Sequence, residues 1–141
     1  MMLSKATEYA LRGLIYLAAQ TPGEPVLSRD VAKYLGTPNQ CVTKIFRTLA
    51  KRGLLESVKG RGGGFMLMPG AEKLNILDVV EAVEGHSSAL HCILGLKVCA
   101  DETACPVHCQ WAHLRLQEMD MLRKHTIGAM AHALFAVSAC A

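Results

Sequence analysis

The sequence predicts a mainly α-helical fold with a small β wing, a winged helix-turn-helix followed by a long C-terminal helix. Three observations predict it. Two short helical segments meet at a Gly-containing turn. A glycine-rich stretch then joins two short β-patterned runs between Leu55 and Leu67. A long helix begins near Pro106 and reaches about Lys124.

Taken in order, residues 3–20 are rich in Ala and Leu, and Tyr9, Leu11, Leu14, Ile15 and Ala18 follow a helical period. Ser4 is placed to cap this helix, and Thr21-Pro22-Gly23 ends it. Ser28 is expected to cap a short helix, SRDVAKYL, that stops at Gly36. Thr37-Pro38 restarts the chain, with Pro38 in the first turn of a helix that runs to about Lys51 and ends at Gly53. Leu55, Ser57 and Val58 read as one strand and Phe65–Leu67 as its partner, because Gly60, Gly62, Gly63 and Gly64 between them suit a hairpin. A hairpin directly after a helix-turn-helix is a wing. Asn75 caps a fourth helix, ILDVVEAVEG, with Asp78 at its positive end. Residues 85–105 read as a loop, and Thr126 caps a last, short helix. The expected organisation is a helix-turn-helix and wing over 1–70, a linker helix and cysteine-bearing loop over 71–105, and a long helix with a short terminal one over 106–141.

A chain of 141 residues with 51% hydrophobic and 19% charged residues can bury a core, so disorder is not expected. Mean hydropathy is positive at +0.24, yet no apolar run approaches the ~18 residues that span a bilayer. The first helix carries Lys5, Glu8 and Arg12 and has no cleavage pattern, so a cytoplasmic location is expected. The net charge of +3 hides an asymmetry. Residues 1–70 hold ten Lys and Arg against four Asp and Glu, whereas residues 71–141 hold five against eight. The basic half is the one that can meet phosphate.

Between residues 38 and 61, Lys44, Arg47, Lys51, Arg52, Lys59 and Arg61 are opposed only by Glu56. Lys44, Arg47 and Lys51 are spaced by three and four, so they share one helix face and are suited to hold phosphates. Asn39, Gln40 and Thr43 lie in the first turns of that helix, where amides and hydroxyls suit base edges. Ser28 and Thr37 flank it at the starts of the two helices, and Lys59, Arg61, Gly62 and Gly63 form a wing that can approach the DNA backbone or minor groove closely. An ordinary solvated cationic face is the competing reading, and the wing glycines together with the charge split weigh against it. A nucleotide phosphate loop is excluded, because the Lys-Ser/Thr ending is missing and no helix follows directly.

Of the six cysteines, four lie between residues 92 and 109. Cys92, Cys99 and Cys105 are separated by six and five residues, and His108 and Cys109 follow at the start of the long helix. In a chain without a secretion signal, such a cluster points to metal or redox chemistry before disulfides. Thiolates suit zinc or iron–sulfur clusters, but a zinc ribbon usually presents paired CxxC knuckles, and the nearest motif here, CPVHC, is CxxxC. Scattered buried or free thiols are the remaining reading. Cys41 and Cys140 lie apart and read as structural or incidental.

LSKATEYALRGLIYLA, the wing SVKGRGGGFML, LDVVEAVEG, the three spaced cysteines and CPVHCQW, in that order, resemble the iron–sulfur winged-helix regulators that include the cluster-assembly regulator IscR and the nitric-oxide sensor NsrR. The resemblance covers nearly the whole chain. It implies homodimers whose long helices cross at the interface, and a [2Fe–2S] or [4Fe–4S] cluster held by Cys92, Cys99 and Cys105. For the fourth ligand it offers two matches. His108 stands where the cluster-assembly regulator has a histidine after its third cysteine. Glu8 stands where a nitric-oxide-sensing member supplies an acidic residue from the partner's first helix. Without a metal, Glu8 would pair with Arg12 at i,i+4 spacing and His108 would be a helix-start histidine. Cys109 is a third candidate, although adjacent helical residues point in different directions.

On the long helix, Val107, Trp111, Ala112, Leu114, Leu116, Met119, Met121 and Leu122 cover more than one stripe. Two apolar faces are expected to pack one on their own domain and one on a second copy, a buried helix of a monomer being the alternative. The expected function is that of a homodimeric regulator, a repressor, that binds double-stranded DNA under control of an iron–sulfur cluster sensing nitric oxide, iron–sulfur status or redox state. A cluster-free thiol–disulfide regulator and a thiol or iron–sulfur electron-transfer protein are the alternatives. An enzyme is not expected, since the Cys and His residues lack an orienting group or pocket motif.

Overall fold

The structure, a computed structural model, describes residues 3–85, Leu94 and residues 106–140. Six helices and one hairpin follow in order: α1 (Lys5–Ala18), α2 (Ser28–Leu35), α3 (Asn39–Lys51), β1 (Leu55–Val58), β2 (Gly64–Leu67), a 3₁₀ turn (Ala71–Lys73), α4 (Ile76–Glu84), α5 (His108–Lys124) and α6 (Ile127–Cys140). The expected fold class and element order hold.

The helix starts show which local signals operate. Ser4 caps α1, its Oγ accepting from the Thr7 N–H at 3.2 Å. Asn75 and Asp78 form a reciprocal capping box on α4, each side chain accepting from the other's backbone N–H at 2.9 and 3.0 Å. Thr126 Oγ1 accepts from the Ala129 N–H at 3.1 Å at the start of α6. Two starts differ from expectation. Ser28 is the first residue of α2, after Leu27 at the cap position, and its hydroxyl instead lies 3.4 Å from Thr43 Oγ1 on α3. Pro38 precedes α3 at its cap position. Its fixed φ of −59° already leads the chain into the helix there. Between α2 and α3, Gly36 turns the chain in the left-handed conformation (φ 69°), which a side chain would resist.

β1 and β2 pair antiparallel with Glu56 opposite Met66 and Ser57 opposite Phe65. An isolated bridge that the sequence pattern did not reveal joins this hairpin to the chain before α2. Val26, just before α2, exchanges two backbone hydrogen bonds of 2.8 Å with Phe65. Gly64 makes this possible: a Cβ there would lie 2.3 Å from the Val26 carbonyl oxygen. The wing is therefore tied to the chain that enters α2.

The core is built where α1, α2, α3, α4 and α6 converge, with Leu14, Val31, Val42, Phe46, Leu49, Val79 and Ile127 essentially inaccessible. Phe46 of α3 lies edge-on to Phe65 of β2, ring centroids 5.3 Å apart at 79°. Its ring also fills the notch left by Gly13, where a Cβ would stand 2.7 Å from Cε1. The last helix is a correction to the expected short one: α6 has 14 residues, as many as α1, and packs against it. The mutual hydrogen bonds Ile76 N–H to His125 O (3.0 Å) and Ile127 N–H to Leu74 O (2.9 Å) tie its start to the start of α4. A helix whose faces are nearly all apolar gives no amphipathic period by which its length could be read.

α5 packs on α4 and buries His108, Trp111 and Leu122. Val107, Leu114 and Met121, seven residues apart, remain 40%, 55% and 53% exposed.

Gly13→Ala tests the notch. Alanine ordinarily stabilises a helix interior by about 1 kcal/mol over glycine. Here the Phe46 ring is buried against Phe65, so overpacking of about 1–3 kcal/mol should dominate. Urea unfolding is expected to show a net loss of stability; a gain would mean that the ring is free to move.

Candidate functional site

α3 presents one continuous polar face. Asn39, Gln40, Thr43, Lys44, Arg47, Thr48 and Lys51 line a single shallow groove of about 460 Å³. The residues come together because Val42, Phe46 and Leu49 anchor the opposite face in the core. Asn39, Gln40, Lys44, Arg47 and Lys51 are exposed, and so are Lys59, Arg61 and Gly62 at the hairpin. Among the described residues, none of these five cations has an ion-pair partner. Gly63 is buried in the hairpin turn, where a Cβ would lie 2.3 Å from the Val58 carbonyl oxygen. Its place is in shaping the wing.

Two of the expected contact residues are half-buried. Thr43 is half-buried; its hydroxyl donates to the Asn39 carbonyl at 2.9 Å and faces Ser28 Oγ across α2 and α3. Thr37 is half-buried in the inter-helix turn. Thr48, not singled out from the sequence, joins the same groove one turn beyond Lys44. Its i,i+4 spacing from Lys44 is the signal that would have found it.

The thiol-bearing region divides differently. Cys92, Cys99 and Cys105 lie outside the described residues. Among the described residues no group of three potential metal ligands comes together. His108, the first residue of α5, is buried at 5% exposure and is one of two buried polar residues in the described core, Thr7 being the other. Cys109 beside it is exposed, as expected for adjacent positions on a helix. Glu8 sits in the first turn of α1 and pairs with Lys5 at 3.0 Å rather than with Arg12. The hydrogen bond to Glu8, with its charge attraction, raises the pKa of the exposed Lys5 ammonium above the ordinary lysine value. Three soft thiolates with a buried imidazole three residues after the last form a donor set whose chemistry fits an iron–sulfur cluster.

A helix-turn-helix with an unpaired basic face and a glycine-shaped wing defines a winged-helix DNA-binding protein. Comparison with known proteins agrees. The profile of the Rrf2 family, described as an iron-dependent transcriptional regulator, matches residues 3–133. The chain belongs to the Rrf2 family of transcriptional regulators. It is 30% identical over 128 residues to the HTH-type transcriptional regulator NsrR of Bacillus subtilis (strain 168), covering 90% of this chain and 88% of that one. It is also 30% identical over 130 residues to the HTH-type transcriptional regulator IscR of Vibrio campbellii (strain ATCC BAA-1116), with 92% and 77% coverage. In fold it is similar to CymR, the global cysteine regulator of B. subtilis, with a TM-score of 0.75 at 19% identity, over 94% of this chain and 98% of that one. These relatives are regulators, not enzymes. No helix among the described residues is long and apolar enough to cross a membrane.

Titrating fluorescent duplex at several salt concentrations will separate the roles on α3. Lys44→Ala and Arg47→Ala should each weaken binding to all sequences alike and lower the slope of log K against log salt by about 0.9. Asn39→Ala or Gln40→Ala should instead relax preference at one base pair by about 1–3 kcal/mol with little change of slope. The reverse pattern would mean that the phosphate and base assignments are exchanged.

Proposed function

We propose that the protein is a cytoplasmic, homodimeric transcriptional repressor whose affinity for double-stranded DNA is set by an iron–sulfur cluster. The observation that carries this reading is the placement of a buried histidine at the start of α5, directly after a segment with three spaced cysteines, in a chain with an exposed basic recognition face. Cys92, Cys99 and Cys105 would hold the cluster. His108 is the proposed fourth ligand: it is buried and lies three residues after Cys105, whereas Glu8 is 43% exposed on its side chain. When bound, the cluster would supply a centre responsive to nitric oxide, iron–sulfur status or redox state.

The remaining work falls to the chain itself. Lys44, Arg47 and Lys51 hold phosphates and fix α3 in register. Asn39 and Gln40 reach base edges, and Lys59 and Arg61 of the wing hold the flanking backbone. The Val107–Leu114–Met121 stripe supports a second copy across α5, since a seven-residue apolar repeat left open to water is costly in a monomer. A dimer of this kind places two α3 helices on half-sites about 34 Å apart, so a small change in the spacing of the copies changes affinity strongly.

Anaerobic reconstitution with iron and sulfide should give a coloured protein containing both, and Cys→Ser at 92, 99 or 105 should abolish the colour. His108→Ala should alter the absorption and Mössbauer spectra while Glu8→Ala leaves them unchanged. A colourless wild type would sink the cluster reading. Disulfides mapped among the clustered cysteines would then favour a thiol switch, whereas a coloured protein that binds no DNA would favour an electron carrier.

Leu114→Glu places a charge in the exposed stripe without touching the monomer's core. Light scattering should find it shifted from dimer to monomer, with DNA affinity falling alongside. An unchanged mass would place the subunit interface elsewhere.

A further inference from the structure

Two hydroxyls at the start of α1 and one carboxylate at the end of α4 form a chain of hydrogen bonds. Glu84 is the last residue of α4, and beyond Gly85 the sequence runs into the cysteine-bearing segment. Its Oε1 accepts from Thr7 Oγ1 at 2.6 Å and from the Ser4 N–H at 2.9 Å, across 77 and 80 residues of sequence. Ser4 Oγ stands 2.9 Å from Thr7 Oγ1. Because the single Thr7 hydroxyl proton is directed to Glu84, the Ser4 hydroxyl donates to Thr7. Thr7 itself is fully buried at 0% exposure. A carboxylate thus closes the positive end of α1, a favourable charge–dipole arrangement. Ordinary capping by Ser4 alone would have sufficed for an isolated helix, so the long-range bond to Glu84 does something further: it joins two helix ends.

We propose that Thr7 and Glu84 are positioning residues of the sensor. Their hydrogen bond holds the first turn of α1, Glu8 included, in register with the entrance to the cysteine-bearing segment. A rearrangement of that segment is passed to α1. From Thr7 the helix runs about 9 Å to Gly13 at 1.5 Å per residue. There it meets Phe46, and so the recognition helix. The coupling role rests on the cluster reading above; the mechanical junction does not.

Thr7→Val keeps volume and branching but removes the donor, Thr7→Ser keeps the donor, and Glu84→Ala removes the acceptor. Hydrogen exchange on metal-free protein should be faster over residues 4–8 and 82–85 in Thr7→Val and Glu84→Ala, and close to wild type in Thr7→Ser. Equal exchange in Thr7→Val and Thr7→Ser would overturn the junction whatever the cofactor content. DNA affinity is then compared between metal-free and iron–sulfide-reconstituted protein under anaerobic conditions. The wild-type ratio should move at least about tenfold towards one in Thr7→Val and Glu84→Ala, and be retained in Thr7→Ser. A wild-type ratio preserved in Thr7→Val would overturn the coupling and leave the cluster reading intact. A wild type that takes up no iron, together with faster exchange in Thr7→Val, would overturn the cluster reading and leave the junction as a strut only.

Discussion

Phe46 stands where three elements of the DNA-binding half meet. It projects from the inner face of α3, fills the notch at Gly13 of α1 and meets Phe65 of β2 edge-on. At 1% exposure it has no freedom to tilt without opening a cavity or striking a backbone. The angle between recognition helix and wing therefore follows from the packing of one ring. The outer face of α3, with its groove of amides, hydroxyls and cations, inherits its position from that contact. Because Val26 is bonded to Phe65, the entry to α2 is held to the same point.

The two halves of the chain use their charged side chains differently. The cations of α3 and the hairpin have no internal partners among the described residues, so their charge is directed outward to solvent. In the acidic half, two carboxylates are directed to helix starts. Asp78 completes the capping box of α4, and Glu84 closes α1. One end of α4 is tied to the start of α6 and the other to the start of α1. This makes α4 a strut between the starts of α1 and α6.

Much of this was readable from residue patterns. Caps at Ser4, Asn75 and Thr126, the glycine hairpin, the period of α1 and the shared face of Lys44, Arg47 and Lys51 are local signals, and each forms where it was expected. Ser28 misled because a serine before an amphipathic run is also free to bond sideways, and the nearest partner, Thr43, comes from another helix. Thr43 still lines the α3 groove, with its hydroxyl donating to the Asn39 carbonyl. The length of α6 was hidden by its uniform apolarity.

The sequence by itself determined the fold class, the family, the basic recognition face and the clustering of thiols, because these depend on composition and on spacings within a turn or a hairpin. Tertiary structure alone decided the bridge from Val26 to Phe65, the Gly13 notch for Phe46, the burial of His108 and the bond from Thr7 to Glu84. Each of these joins groups distant in the chain. Their energies arise only once the helices pack, when apolar contact fixes which polar atoms meet and which remain open to water.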